Sequence, residues 1–214
     1  KAFTKHNSRH HAVTFGWPEE DSFKYYISGK RSVIAVADGI TRDLVEGSYP
    51  IPSPARKAAD VFCKVVVERD KKLSSLNIDL IREIINKANG EIGKLNKGLK
   101  VDYLKDDFAG CVASCGIIEG EILYYSYITD CGVCVFDKNG KLKFRTKDES
   151  PNKKIGEELV KEPKKYGSGW KDPRWRARTR SWYRNNPKER FSYGAFTGEK
   201  EAMHFVRTGK VILN

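Results

Sequence analysis

The sequence has no long apolar run. The longest stretches, Val33–Ala37 and Cys131–Phe136, fall far short of the ~20 residues that a membrane-spanning helix requires. No basic-then-apolar secretory leader is visible at the start. Methionine occurs once, histidine four times and proline eight times in 214 residues. The five cysteines are an odd number, and without a leader they point to reduced thiols and a cytoplasmic protein. No internal repeat of 20–50 residues is evident, which excludes a solenoid or a propeller. Acids are in deficit, with 28 Asp and Glu against 40 Lys and Arg, a net charge of +12. Such a balance favours anionic partners and disfavours none of the common folds. Hydrophobic residues make up 39%, and with 18 glycines the share is about 47%, a globular composition.

Periodicity divides the chain into an ordered series. Phe23–Ile27 and Ser32–Ala37 read as strands joined by the hairpin turn Ser28-Gly29-Lys30-Arg31, and the second strand stops at Asp38-Gly39. Ser53-Pro54 reads as a helix cap and first helical residue, followed by apolar positions from Ala55 to Val66 at helical spacing. A second helix is expected from about Asn77 or Asp79 to Leu95, weakened near its end by Gly93 and Gly98. Four strands follow: Cys111–Ile118, Glu121–Ile128, Gly132–Asp137 and Leu142–Thr146. Asn139-Gly140 marks a hairpin. Ala202–Val206 reads as a short helix, and a strand begins at Lys210. A strand pair, two helices and an antiparallel meander make an α+β pattern.

Several constellations carry chemistry. Glu20-Asp21 precedes the first strand, Asp38-Gly39 ends the second, and Asp130 lies between two later strands. Carboxylates gathered at one end of a sheet raise one another's pKa unless a cation joins them. Their hard oxygens suit Mg²⁺ or Mn²⁺. The alternative is a set of ordinary turn acids. Cys111-x3-Cys115 and Cys131-x2-Cys134 have a spacing used by zinc sites, but strand-like Val112-Ala113-Ser114 favours buried thiols. His6 and His10 would share a helix face, though Asn7-Ser8 and the short alternation there argue for a surface role. Residues 161–190 hold eleven Lys and Arg against three acids, interleaved with Tyr166, Trp170, Trp175, Trp182 and Tyr183. Basic residues among aromatics suit single-stranded nucleic acid, or a flap whose rings pack down while its cations stay solvated.

The order of the acidic motifs resembles the type 2C metal-dependent protein phosphatase family. That family has an E-D pair, a strand ending in D-G, a helix rich in small residues, G-T-T opening a strand, G-D-S between strands, and T-x-D-x-S. Here the matching segments are Glu20-Asp21, Val36-Ala37-Asp38-Gly39, residues 53–67, Ala109-Gly110-Cys111, Thr129-Asp130-Cys131 and Thr146-Lys147-Asp148-Glu149-Ser150. The resemblance covers nearly the whole chain, and its strength is the order of degenerate matches.

It implies two stacked antiparallel sheets flanked by helices, an α-β-β-α sandwich. It also implies one domain over 1–214 with a basic flap-like insertion at 151–192. The implied reaction is hydrolysis of phosphoserine or phosphothreonine on a phosphorylated protein, with two or more Mg²⁺ or Mn²⁺ ions activating a water. Asp38 would bridge two ions as the central catalytic residue. Gly39 would lend its carbonyl, Glu20 would hold the second ion directly or through water, Asp130 would touch an accessory ion, and Asp21 would stand beside them. Substrate phosphate would meet Arg42, Arg176, Arg178, Arg180 or Arg184.

Departures are specific. Ile40 stands where some members carry a histidine general acid, and Gly16 where a basic phosphate ligand precedes the Glu. The late S-D-G and D-N motifs do not occur. This leads to the expectation of a protein that continues past Asn214 or of a member that lost the first metal site. Two other readings stand beside catalysis: an inactive phosphatase-like binding module, and a nucleic-acid-binding protein using 161–190. A membrane partner is not expected.

Overall fold

The computed structural model describes residues 19–29, 31–40, 52–70, 75–98, 108–169 and 172–213. Strand β1 (Ser22–Ile27) pairs antiparallel with β2 (Arg31–Gly39), with Ser22 opposite Ala37 and Ile27 opposite Ser32. Ser28 and Arg31 close the turn by exchanging backbone hydrogen bonds of 2.8 and 3.3 Å. Along β2, burial alternates. Val33, Ala35 and Ala37 face the helical layer, while Ile34, Val36 and Asp38 point to the other side. That alternation carries Asp38 out of the core at the end of the strand.

Helix α1 (Pro54–Asp70) buries Ala55, Ala58, Ala59, Phe62, Cys63 and Val66. Its alanines let the helix lie close to β2. Helix α2 (Ile78–Leu95) buries Ile81, Ile84, Ile85, Ala88 and Ile92, and Asn77 caps it by accepting the Leu80 N–H at 2.8 Å. Phe62 stacks on Phe196 with ring centroids 5.1 Å apart. Strand β3 (Cys111–Glu119) joins β2, and β4 (Ile122–Tyr127) joins β3.

The expected two antiparallel sheets with flanking helices are formed, but the four strands from Cys111 to Arg145 do not run as one meander. At Thr129, which adopts φ 61°, the chain leaves the sheet. Strands β5 (Cys134–Phe136) and β6 (Leu142–Arg145) then make a separate two-stranded sheet, and β5 is shorter than the pattern indicated. The free edge of β4 is taken by β7 (Arg207–Ile212), so the main sheet runs β1-β2-β3-β4-β7. The two sheets face each other across an apolar groove of about 880 Å³, lined by Ile34, Val36, Ile118 and Leu123 on one side and Val133–Phe136 and Phe144 on the other.

The basic stretch forms short pieces: α3 (Asn152–Leu159), α4 (Pro163–Tyr166), α5 (Pro173–Arg178) and a π-helical turn at Thr179–Tyr183. Ile155, Leu159 and Tyr183 form its own small core, with Tyr166, Trp175, Phe191 and Tyr193 packed around them. Trp182 does not pack down as a flap of buried rings would require, being 41% exposed. Three buried asparagines fasten the stretch 195–199. Asn185 donates to Ala195 O, Thr197 Oγ1 and Glu199 Oε2, and accepts from Ala195 N. Asn96 donates to Ala109 O and Thr197 O, and Asn89 bonds Glu199 O and Gly198 N. The expected short helix forms as a 3₁₀ helix at Lys200–His204, two residues earlier than the pattern placed it.

Candidate metal centre

Ser53 caps α1, its hydroxyl accepting the Arg56 N–H at 3.1 Å, and the same hydroxyl donates to the Glu20 carboxylate. Both residues are buried. The first turn of α1 thereby fixes the acidic pair. Arg56 reinforces it, donating to Asp21 O at 2.6 Å and to Asp60 at 3.2 Å, while Ser22 donates to Asp60 at 2.6 Å. Gly39 is required by close approach. A Cβ there would lie 2.7 Å from Glu20 O and 2.9 Å from both the Ala55 carbonyl carbon and Glu20 Cβ, closer than side chains tolerate. The Asp-Gly pair thus lets β2 end directly against the Glu20 backbone and the start of α1.

This packing brings Asp38 among Glu20, Asp21 and Asp130. Its pKa is pushed up to about 7, first by burial and then by the negative charges of Asp21, Asp130 and Glu20. The outer edge of Asp38 remains open to water, onto a cleft of about 240 Å³ lined by Asp38, Gly39, Ile40, Val112, Thr129, Asp130, Asn152 and Tyr193. Thr129 is locked in place, donating to Gly194 O and accepting the Glu149 N–H at 2.9 Å.

The donors are all oxygens, and their mutual repulsion is the condition that a divalent cation relieves. Among the described residues, no three His, Cys, Asp or Glu side chains are placed to hold a metal by themselves. A hard ion that keeps several waters, as Mg²⁺ does, fits such a sparse set. Ser53→Ala should cost ~1 kcal/mol through loss of the cap. It also leaves the buried Glu20 carboxylate without that donor. Chemical denaturation will read the stability, and a weaker Mn²⁺ response than wild type is expected.

The structure therefore gathers Glu20, Asp21, Asp38, Gly39 and Asp130 at one end of the sheet. Arg42, Gly16, His6 and His10 lie outside the described residues. Arg176 and Arg180 line a separate cavity. Arg178 stacks its guanidinium 3.8 Å from the Trp182 ring centroid and 5.0 Å from that of Tyr166. Arg184 is buried. All five cysteines are free thiols. Burial pushes Cys63 and Cys131 up to about 12 and Cys111 well up, so these three stay protonated at neutral pH and are poor nucleophiles. Ser53, Thr129, Asn152 and Tyr193 were not singled out as site residues by the sequence. Ser53 carried a signal as a helix cap and Thr129 as the residue before Asp130 in its motif, while Asn152 and Tyr193 carried none.

No family model and no curated protein matches the chain in sequence. Its fold is similar to several solved structures. The serine/threonine phosphatase PstP/Ppp of Mycobacterium tuberculosis aligns with TM-score 0.52 at 14% identity, over 92% of this chain and 68% of its own. The catalytic domain of PstP in complex with two manganese ions gives 0.51 at 14%, over 92% and 67%. The serine/threonine phosphatase of S. agalactiae gives 0.52 at 15%, over 92% and 69%. The chain spans 61% of the length of RsbX, solved in complex with magnesium, at TM-score 0.48 and 15% identity. The α+β architecture of this chain, with a five-stranded antiparallel sheet, a second small sheet and flanking helices, is similar in fold to these serine/threonine phosphatase structures.

Proposed function

We propose that this chain is a metal-dependent hydrolase of phosphoserine and phosphothreonine on proteins. The carrying observation is the convergence of Asp38 with Glu20, Asp21 and Asp130, of which Asp38 and Asp130 line a small cleft, with the Asp38 pKa pushed up to about 7 first by burial and then by those neighbouring charges. Asp38, the Gly39 carbonyl, Glu20 and Asp130 are the groups that would hold Mg²⁺ or Mn²⁺, with Asp21 beside them. Bound ions would supply charge neutralisation of the phosphoryl oxygens and a water acidic enough to attack at neutral pH. The protein's own part is positional. Ser53 orients Glu20, the contact of Gly39 with Glu20 and Ala55 sets the depth of Asp38, and Thr129 holds the turn bearing Asp130. Ile40 has no proton to donate to a leaving group, so the leaving serine oxygen would take its proton from water.

p-Nitrophenyl phosphate hydrolysis tests this reading. Turnover is expected with Mn²⁺, should vanish with EDTA, and should fall at least 100-fold in Asp38→Asn. No turnover in any metal from the folded chain overturns it. A second reading, an inactive phosphoprotein-binding module in one domain with 151–192 as its basic flap, is favoured by the sparse ligand set and by Ile40. It predicts phosphopeptide binding without turnover, with or without metal.

A further inference from the structure

Cations and aromatic rings alternate in space across three pieces of the basic segment. The Arg178 guanidinium lies 3.8 Å from the Trp182 ring centroid and 5.0 Å from that of Tyr166. Lys165 Nζ stands 4.8 Å from the Tyr166 centroid in turn. Lys165 and Tyr166 end α4, Arg178 ends α5, and Trp182 belongs to the π-helical turn that follows. The charge of Arg178 is not cancelled. Among the described residues no carboxylate pairs with it, and its buried Nε has no hydrogen-bond acceptor. Nearby cations differ, since Arg174 pairs with Asp172 and Lys161 with Glu158, both at 2.8 Å. Ring faces attract a cation but leave its net charge in place.

Trp182 closes one end of this stack and is 41% exposed. An indole is ordinarily buried over most of its surface. The guanidinium covers one face of the ring, so the open part lies away from Arg178. The ring is thereby held in one orientation before any ligand arrives, which lowers the entropy cost of binding. Around it the segment 161–190 carries eleven Lys and Arg against three acids, and Lys161, Lys164 and Lys165 are exposed. None of the four stacked residues lines the acidic cleft.

We propose that Trp182, Arg178, Tyr166 and Lys165 form a binding site for single-stranded nucleic acid, with a base stacked on the open part of Trp182 and the neighbouring phosphates drawn to Arg178 and Lys165. The site is separate from the acidic cleft and does not rest on hydrolysis there. An acidic or phosphorylated peptide would answer the charge but leave the indole in water. An apolar partner would cover the indole but leave the charge unanswered. A duplex keeps its bases stacked on one another. A single strand presents a π face and a phosphate within one nucleotide, and so uses both features.

The probe is a short fluorescein-labelled oligothymidylate, with binding to the full chain read by anisotropy in EDTA. A second probe of the same length is abasic throughout, keeping the phosphates and losing the bases. The wild type should bind the base-bearing probe about tenfold more tightly than the abasic one. Trp182→Ala should lose about tenfold on the base-bearing probe and nothing on the abasic one, and Trp182→Phe should keep part of the affinity. Tryptophan is neutral, so its loss should leave the salt dependence unchanged. Arg178→Gln should weaken both probes and flatten the slope of log K against log salt by about 0.7. Asp38→Asn should bind both probes as the wild type does.

Equal wild-type affinities for the two probes overturn the proposal, and this comparison decides the matter if Trp182→Ala does not fold. An unchanged affinity of folded Trp182→Ala for the base-bearing probe overturns it too. So does a glutamate-flanked phosphoserine peptide that displaces the probe and itself depends on Trp182, because the surface would then belong to a protein partner.

Discussion

Asp38→Asn should raise the melting temperature of the metal-free protein at pH 8, and the same variant should no longer be stabilised by Mn²⁺. The reason is the burial of Asp38, compounded by the crowding of carboxylates around it. In the folded protein the Asp38 pKa lies at about 7, against an ordinary carboxylate value of 3.8. Between those two values the folded state binds more protons than the unfolded state, so stability falls as pH rises. The penalty is absent below about pH 4 and fully developed above about pH 7. Asp38 keeps an open edge, so water screens part of the cost, and relief of ~1 kcal/mol, about 2–4 °C, is the expected gain. The neutral amide removes the penalty and, in the proposed reading, a metal ligand together. In the wild type, Mn²⁺ at 100 times its dissociation constant would add about 2.7 kcal/mol. That addition should be larger at pH 8 than at pH 5, where protons compete. Thermal melts of both proteins at the two pH values, with EDTA or Mn²⁺, will show it. A wild type whose metal-free stability rises from pH 5 to pH 8 would contradict the crowding argument.

Gly198→Ala should be among the most damaging single substitutions in the chain, and Gly90→Ala among the mildest. Gly198 sits at φ 93°, and a Cβ there would lie 2.1 Å from the Gly93 Cα. Both the backbone conformation and the backbone-to-backbone contact forbid a side chain, so neither partner has a rotamer that could yield. Helix α2 would have to separate from the 195–199 stretch, breaking the Asn89 and Asn96 bonds as it goes. A loss of about 3 kcal/mol or more is expected. Gly90 lies on the exposed face of the same helix with nothing within 4 Å of a Cβ. Alanine there should stabilise by about 0.5–1 kcal/mol through helix propensity. Urea denaturation of the two variants measures the contrast, and a Gly198→Ala protein as stable as wild type would show that α2 and 195–199 do not meet as described.

Gly93 illustrates what the sequence could and could not convey. By propensity it is a flaw near the end of a helix. In the fold it is the contact point that admits Gly198. The local features were legible: the Ser53-Pro54 start, the hairpin at Ser28–Arg31, the alternation of β2 and the stop at Asp38-Gly39 all follow from neighbouring residues. The convergence of Glu20, Asp38 and Asp130 was legible only through motif order, because each acid taken singly is an ordinary turn residue. Pairings set by distant segments were not legible. The motif order implied a second sheet, but the capture of the β4 edge by β7 and the departure of β5–β6 in particular depend on a turn at Thr129, where a β-branched residue gives no sign of a positive φ. Asn152 and Tyr193 reach the cleft from the far side of the chain. The arginines of 161–190 look equivalent in sequence, yet the fold puts Arg178 on a tryptophan, buries Arg184, and sets Arg176 and Arg180 along a cavity.

Calorimetric titration of the metal-free chain with Mn²⁺ at pH 8, beside Asp38→Asn, is the most direct test of the acidic cluster as a cation site. The predicted result is saturable binding to the wild type, with proton release from Asp38 small at pH 8 and large in a parallel titration at pH 6, visible there as a dependence of the heat on buffer ionisation. The variant should show no binding, or binding at least 100-fold weaker. Equal binding to both proteins, or none to the folded wild type, would contradict the account.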